Sequence, residues 1–317
     1  MLNNASLISI LNNLTNISGL SSEFSSLQTV ALPCIKIKCL QDNNELAIGA
    51  SKIGGTPDLP ANIVWPTYNE IPLRFVAQIN LSELPGHYLN YLPDSGILFF
   101  FIGDDEPSFN IKNSVIFSEN LPCPTKNPIN GPENYDNFDF PVTKITFFPW
   151  ISLPTYHESS LQLSEKFIDL YDNLLYLIQE EGGVTSQLGG YLDAELQELR
   201  KKSLCLYYKK DIKILEHLTL PLYPIEDIEA AKRMRLQTLE NFYERKYQQD
   251  LKNHKLAVDW FNLHTIDMNK YNLLLSLNSH NESEICWWNA GKLNFMDFES
   301  AMINRDFTKI YSEIDSA

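Results

Sequence analysis

The sequence predicts an α+β protein. Antiparallel sheets lie in two weakly similar halves, about 28–150 and 186–317, with flanking helices, all in one domain over 1–317. Three observations predict it. Short alternating or wholly apolar runs recur between turn residues, as strands of antiparallel sheets do. Two long stretches, 160–181 and 225–253, instead carry apolar residues at helical spacing. Finally, RFVAQINL then GILFFF (74–81, 96–101) is echoed by LLLSLNS then GKLNFM (273–279, 291–296), as in a duplicated architecture.

The elements follow in order. Leu7, Ile10, Leu11, Leu14 and Ile17 predict an amphipathic helix over 5–17 that packs on the domain body. Ser21–Ser26 is a polar connector. Ile35, Ile37 and Cys39 alternate with Lys36 and Lys38, the pattern of a half-solvated strand. Asn43-Asn44 supplies a turn. From Ser51 to Pro72, Gly54-Gly55 allows positive φ. Pro57, Pro60 and Pro66 force extended geometry on their predecessors. This predicts an ordered non-helical loop stapled by Trp65, whose ring seeks burial and whose N–H seeks one partner. Phe75–Leu81 is a strand, closed by turn residues through Gly86.

The residues SK-x-GG-x-P-x-LP, WP, PL-x-F-x-AQINL-x-EL and LP-x-x-G-x-L-x-FF, over about 51–101, resemble the YwqG-like family, a bacterial domain of unknown function. Gln187-Leu188-Gly189-Gly190-Tyr191 resembles its GGYP-type segment, Leu273–Leu277 its LLLQ segment and Trp288–Gly291 its WGDAG segment. Leu192, Ser276 and Asn289 depart from the family pattern, which has Pro, Gln and Asp there. The resemblance implies a fold and carries no reaction with it.

Gly96–Ile102 is almost wholly apolar, a strand covered on both faces. Asp104-Asp105-Glu106 reads as a solvated turn, since EF-hand spacing is absent. Ser114–Phe117 is the return strand. Residues 119–141 form a long proline-rich loop, a candidate rim of a binding surface. Val142–Trp150 is a further strand. Ser159-x-x-Gln162 resembles a capping box for helix 160–181, which ends at Gly182-Gly183. A short helix occupies 192–201. Helix 225–253 follows Pro224, with a mostly basic side at Lys232, Arg233, Arg235, Arg245 and Lys246. The resemblance implies that this helix is an elaboration, since the corresponding connection of YwqG-like proteins is shorter. Strands close the chain at 271–278, 292–298 and 309–314.

Composition bounds the function. Hydrophobic residues at 44% and aromatics at 12% belong to a packed protein. A net charge of −15 repels nucleic-acid phosphates and draws basic partners. Five scattered cysteines suit a reducing compartment rather than a disulfide framework. The N-terminus lacks a basic region and an apolar core, and no run of ~20 apolar residues occurs, so a cytoplasmic location is expected. The six histidines lack metal-ligand spacing, and neither a phosphate-binding glycine motif nor a nucleophile elbow is present. No catalytic residue, metal or cofactor is therefore assigned.

One polar constellation remains. Lys52, Arg74 and Gln78 flank the 51–72 loop, walled by Trp65, and Trp288 and Asn289 come from the echoing half. If the halves face each other, these six line a cleft. The other reading of the same residues is structural. The expected function is non-enzymatic: a protein-interaction module, in its most concrete form an immunity-like protein that sequesters a basic partner or toxin. A small-molecule binder or hydrolytic enzyme using the cleft is the alternative, and a scaffold self-assembling through 225–253 is a third.

Overall fold

The computed structural model describes residues 2–40, 45–103, 111–119, 140–155, 165–182, 186–192, 196–219, 223–234, 237–268, 270–279, 285–287 and 291–315. Two compact units divide it. One comprises residues 1–196 with 272–317 and carries the sheet, and the other is 197–271 and is helical.

In the sheet unit the strands run β1 (Leu32–Leu40), β2 (Lys52–Ile53), a small hairpin of β3 (Thr67–Tyr68) and β4 (Ile71–Pro72), then β5 (Arg74–Asn80), β6 (Ile97–Ile102), β7 (Asn113–Ser118), β8 (Thr143–Ser152), β9 (Ser186–Leu188), β10 (Tyr271–Asn278), β11 (Lys292–Phe298) and β12 (Tyr311–Asp315). Ten of them form one antiparallel sheet in the order β12-β11-β10-β9-β1-β8-β2-β5-β6-β7. The two sheets expected from the sequence are thus one. The junction is β9, whose Gln187 pairs with Lys36 of β1 on one side and with Ser276 of β10 on the other. Continuing the ladder this way removes open edges, which would otherwise leave unpaired backbone groups.

The sheet curls until its ends nearly close. Ile111, just before β7, donates its backbone N–H to the Ser312 carbonyl of β12 at 2.9 Å. Ser312 Oγ donates to the Ile111 carbonyl at 2.9 Å, and Asn113 Nδ2 reaches the Ile310 carbonyl at 3.1 Å. Inside, Ile35, Ile37, Ile79, Leu98, Phe100, Leu275, Leu293 and Phe295 form the main core. Phe100 and Phe295 meet edge to face there at 5.1 Å, although their strands are not neighbours.

Two further clusters cover the sheet from outside. Trp65, Leu59 and Leu73 of the 51–73 segment pack on Phe75, Phe99 and Phe101. This explains why β6 is apolar at every position: alternate residues enter different cores. Helices α1 (Ala5–Ile17), α2 (Phe24–Val30) and α3 (Ile168–Gly182) bury Leu7, Leu11, Leu14, Leu27, Tyr171 and Leu174 with Ile151 and Leu153. Asn4 caps α1, its Oδ1 accepting the N–H of Ser6 at 3.0 Å and of Leu7 at 3.3 Å. The Ser159–Gln162 capping box, the acidic triplet at 104–106 and most of the 119–141 loop lie outside the described residues.

The helical unit contains nearly all of α4 (Leu196–Tyr207), then α5 (Tyr223–Arg233), α6 (Gln237–Leu263) and α7 (Thr265–Met268). A single helix over 225–253 does not form. A continuous helix would hold Ile228 and Gln248 roughly 30 Å apart, yet both line one groove between α5 and α6. The chain reverses, with Ile228 and Ala231 of α5 buried and Tyr243, Tyr247 and Leu251 of α6 half-buried. Lys232 marks the fold-back, reaching Glu229 at 3.6 Å and Glu244 of α6 at 3.9 Å.

Candidate functional site

The 51–72 loop brings Lys52 and Gln78 together around a carboxylate that carries no motif, that of Asp58. Asp58 Oδ2 accepts from Lys52 Nζ at 3.2 Å, Gln78 Nε2 at 2.8 Å and the Gly49 N–H at 2.9 Å. Gln78 Oε1 accepts the Asp58 N–H at 2.9 Å, and its Nε2 also reaches the Ala50 carbonyl at 2.7 Å. Every member is buried and engaged. Two glycines let the loop lie this close to the sheet. Gly54 and Gly55 adopt φ of +68° and +67°, and a Cβ on Gly54 would stand 2.6 Å from the Phe140 carbonyl oxygen. The cluster pins the loop to β5.

The other expected residues disperse. Trp65 donates Nε1–H to the Leu73 carbonyl at 2.9 Å and packs on Phe101, plugging the outer core. Arg74 lies over the Phe140 ring at 4.3 Å, and Trp287 packs on that same ring at 5.2 Å. Trp288 and Asn289 lie outside the described residues.

A second polar cluster sits on the outward face of β1, β9, β10 and β11. Lys36 Nζ donates to Gln187 Oε1 at 2.9 Å, and Ser276 is the register partner of Gln187. The Ser279 N–H donates to the Gly291 carbonyl. Counting three residues from each along antiparallel strands sets Ser276 level with Asn294, and one residue from each sets Asn278 level with Lys292. Lys36 is 6% exposed, Ser276 and Asn294 each 1%. Ser276 Oγ, Asn294 Oδ1 and Asn278 Oδ1 find no hydrogen-bond partner. They are half of the six such buried atoms among the described residues, so unmet polarity is concentrated here. Burial pushes the Lys36 ammonium below its ordinary pKa. Burial, and then the charge of Lys36, push Lys292 down to about 8, with Asp315 acting in the opposite sense.

The sequence held a signal for this cluster. Ser276 and Asn294 interrupt the apolar runs LLLSL and LNF, where strands facing two cores would carry none.

The helical unit offers a different surface. Phe242, Leu256 and Leu263 of α6 are 61%, 58% and 79% exposed. Tyr208 donates to Asp267 at 2.7 Å and stacks against His264, itself 4.4 Å from the Trp260 ring. Charge divides sharply between units. The helical unit has 14 basic and 11 acidic residues, the sheet unit 11 and 29. Among the described residues no group of three or more His, Cys, Asp or Glu could hold a metal ion. No described helix is long and apolar enough to cross a membrane.

These features define an α+β protein built on a nearly closed antiparallel sheet with a helical unit between β9 and β10. The family described as a domain of unknown function, DUF1963, matches residues 51–316, and the chain belongs to that family. No curated protein matches the chain.

Proposed function

We propose that this chain is a non-catalytic protein-binding module of YwqG-like type whose helical unit carries the contact surface. The observation behind this reading is the row Phe242, Leu256 and Leu263 on α6, three largely exposed apolar side chains spaced by multiples of seven. That spacing keeps them on one helix face, the arrangement by which a second helix or a groove is engaged. Met234 and Ile266, 69% and 74% exposed, add apolar surface to the same unit.

The acidity lies in the sheet unit, 29 acidic against 11 basic residues, and draws a basic partner at long range, while the apolar row on α6 makes the contact. In its most concrete form the partner is a basic toxin, held in an immunity-like complex. The cleft alternative is less favoured, because Lys52 and Gln78 are already spent on Asp58 and backbone groups.

The test is capture from the native cell with the whole chain and with a Phe242→Glu/Leu256→Glu variant, at low and moderate salt. The expected result is one stoichiometric basic protein, captured less as salt rises and lost with the variant. Equal capture by the variant, or an acidic partner, overturns the reading.

A further inference from the structure

We propose that the groove between α6 and the short helical turn Ile212–His217 binds a planar aromatic anion, its ring on Trp260 and its carboxylate or phosphate at Lys210 and Lys213. The proposal does not rest on the apolar row of α6, with which the groove shares Leu256 alone.

The groove has a volume of about 400 Å³, and its apolar wall is Leu256, Ala257 and Trp260 of α6. Trp260 is held in place by its neighbours. Its ring lies 4.4 Å from that of His264, 4.8 Å from Phe261 and 6.3 Å from Tyr208. The facing turn is pinned as well, since the His217 carbonyl accepts from His254 Nδ1 at 2.9 Å. A fixed indole beside a cavity is a surface on which a flat ring stacks at little ordering cost. Lys210 Nζ, 5.9 Å from the centre of that indole, sets a positive charge beside the ring.

The polar lining selects the sign of the ligand. Lys210 and Lys213 supply ammonium groups, and among the described residues neither meets a carboxylate within ion-pair distance. Asn253 spends its Oδ1 on Gln249 Nε2 at 2.8 Å, which leaves its own N–H groups to donate. Asp211 is the one described carboxylate in the lining, and its Oδ1 is taken by the Lys213 N–H at 3.0 Å. Donors therefore outnumber acceptors, and the complementary ligand is an acceptor-rich anion. Charge at longer range has the same sense: the helical unit holds 14 basic and 11 acidic residues, the sheet unit 11 and 29. A bare inorganic anion leaves the Trp260 wall unused, and an uncharged ring leaves the lysines unused.

The experiment is calorimetric titration of the full chain with benzoate and adenosine monophosphate, with inorganic phosphate and adenosine as controls for charge and ring alone. Saturable binding of an aromatic anion, tighter than either control by about tenfold or more, is expected. Benzoate alone identifies a carboxylate site, adenosine monophosphate alone a phosphate site, and both together a site that reads the shared chemistry. Trp260→Ala and Lys210→Glu/Lys213→Glu are each expected to weaken binding by about tenfold or more. Both lysines are exposed, so the double variant keeps the fold even where loss of the half-buried indole does not. No saturable binding of either aromatic anion to about 10 mM, a control that binds as tightly, or unchanged affinity in a variant that folds overturns the proposal.

Discussion

Lys52 and Lys36 stand on strands of one sheet and are almost equally sealed from water, 8% and 6% exposed. Their surroundings differ in kind. Lys52 meets the Asp58 carboxylate at 3.2 Å, and that carboxylate is further bound by Gln78 and the Gly49 N–H. Lys36 meets a neutral amide, Gln187 Oε1, and the nearby Lys292 shares its sign. A buried ion pair with its remaining lone pairs filled stabilises one geometry. A buried cation held by an amide beside a second cation does not. The first cluster is completed by the chain, whereas in the second Ser276 Oγ, Asn278 Oδ1 and Asn294 Oδ1 find no hydrogen-bond partner.

Removing the component that completes the first cluster gives the largest effect. Asp58→Ala leaves Lys52 buried without its counter-ion, strands the Gly49 N–H and costs Gln78 Nε2 one of its two hydrogen bonds. A loss of about 3–5 kcal/mol in urea-unfolding stability is expected, the range for breaking one partner of a buried pair. A loss under about 1 kcal/mol would erase the contrast between the two lysines.

A third buried charge sharpens the comparison from the acidic side. Asp297 is 1% exposed, accepts the Phe298 N–H at 2.7 Å through Oδ1, and leaves Oδ2 without a partner. Burial raises its pKa from 3.8 to about 7. The protonated form is therefore the one the fold prefers. The cost of the charged form is absent below pH 3.8, grows through the interval and is complete above pH 7. Asp297→Asn is expected to gain about 2–3 kcal/mol over wild type at pH 8 and nothing at pH 4. Chemical denaturation at the two pH values reads the difference. A gain that is the same at both refutes the role of the charge.

Much of the fold is written locally. The strands at Tyr271–Asn278 and Lys292–Phe298 coincide with their apolar alternation, and α1 with its stripe at 5–17. Trp65, read as a staple with one N–H partner, is that. What escaped depends on distant residues. The two-residue strand β2 exists because Gln78 and Lys144 flank it, and no two residues advertise a strand alone. The near-closure rests on Ile111 and Ser312, 201 residues apart. The candidate sites follow the same rule. Lys52 and Gln78 were legible because Asp58 and the loop gather within thirty residues, although Asp58 itself carries no motif. Lys36 and Gln187 are separated by 151 residues. The IKIK alternation made Lys36 look like the solvated half of a strand, and only the register of β9 and β10 shows otherwise.

Lys292 tests the second cluster through pH. Its folded pKa of about 8 lies below the ordinary value of 10.5, so the fold prefers the neutral amine. The cost of charging is absent above pH 10.5, develops as pH falls and is complete below pH 8. Relative to wild type, Lys292→Met is expected to gain about 1–2 kcal/mol on going from pH 10.5 to pH 7. A difference that does not move with pH would place the charge in water.

The smallest effect is the most discriminating. Ser276→Ala deletes a hydroxyl that is 1% exposed and unbonded. For an ordinary buried serine, losing Oγ breaks a hydrogen bond and costs stability. Here no bond is lost and a desolvated polar atom disappears, so melting temperature is expected to hold or rise by a degree or two, within about 1 kcal/mol. Ser312, on the same sheet, is the control. Its Oγ donates to the Ile111 carbonyl across the closure, so Ser312→Ala should fall by about 1–2 kcal/mol. If both serines cost the same, the hydroxyl of Ser276 is satisfied in solution and the second cluster is as complete as the first. If only Ser312 costs, Ser276 is held in place for something other than the fold.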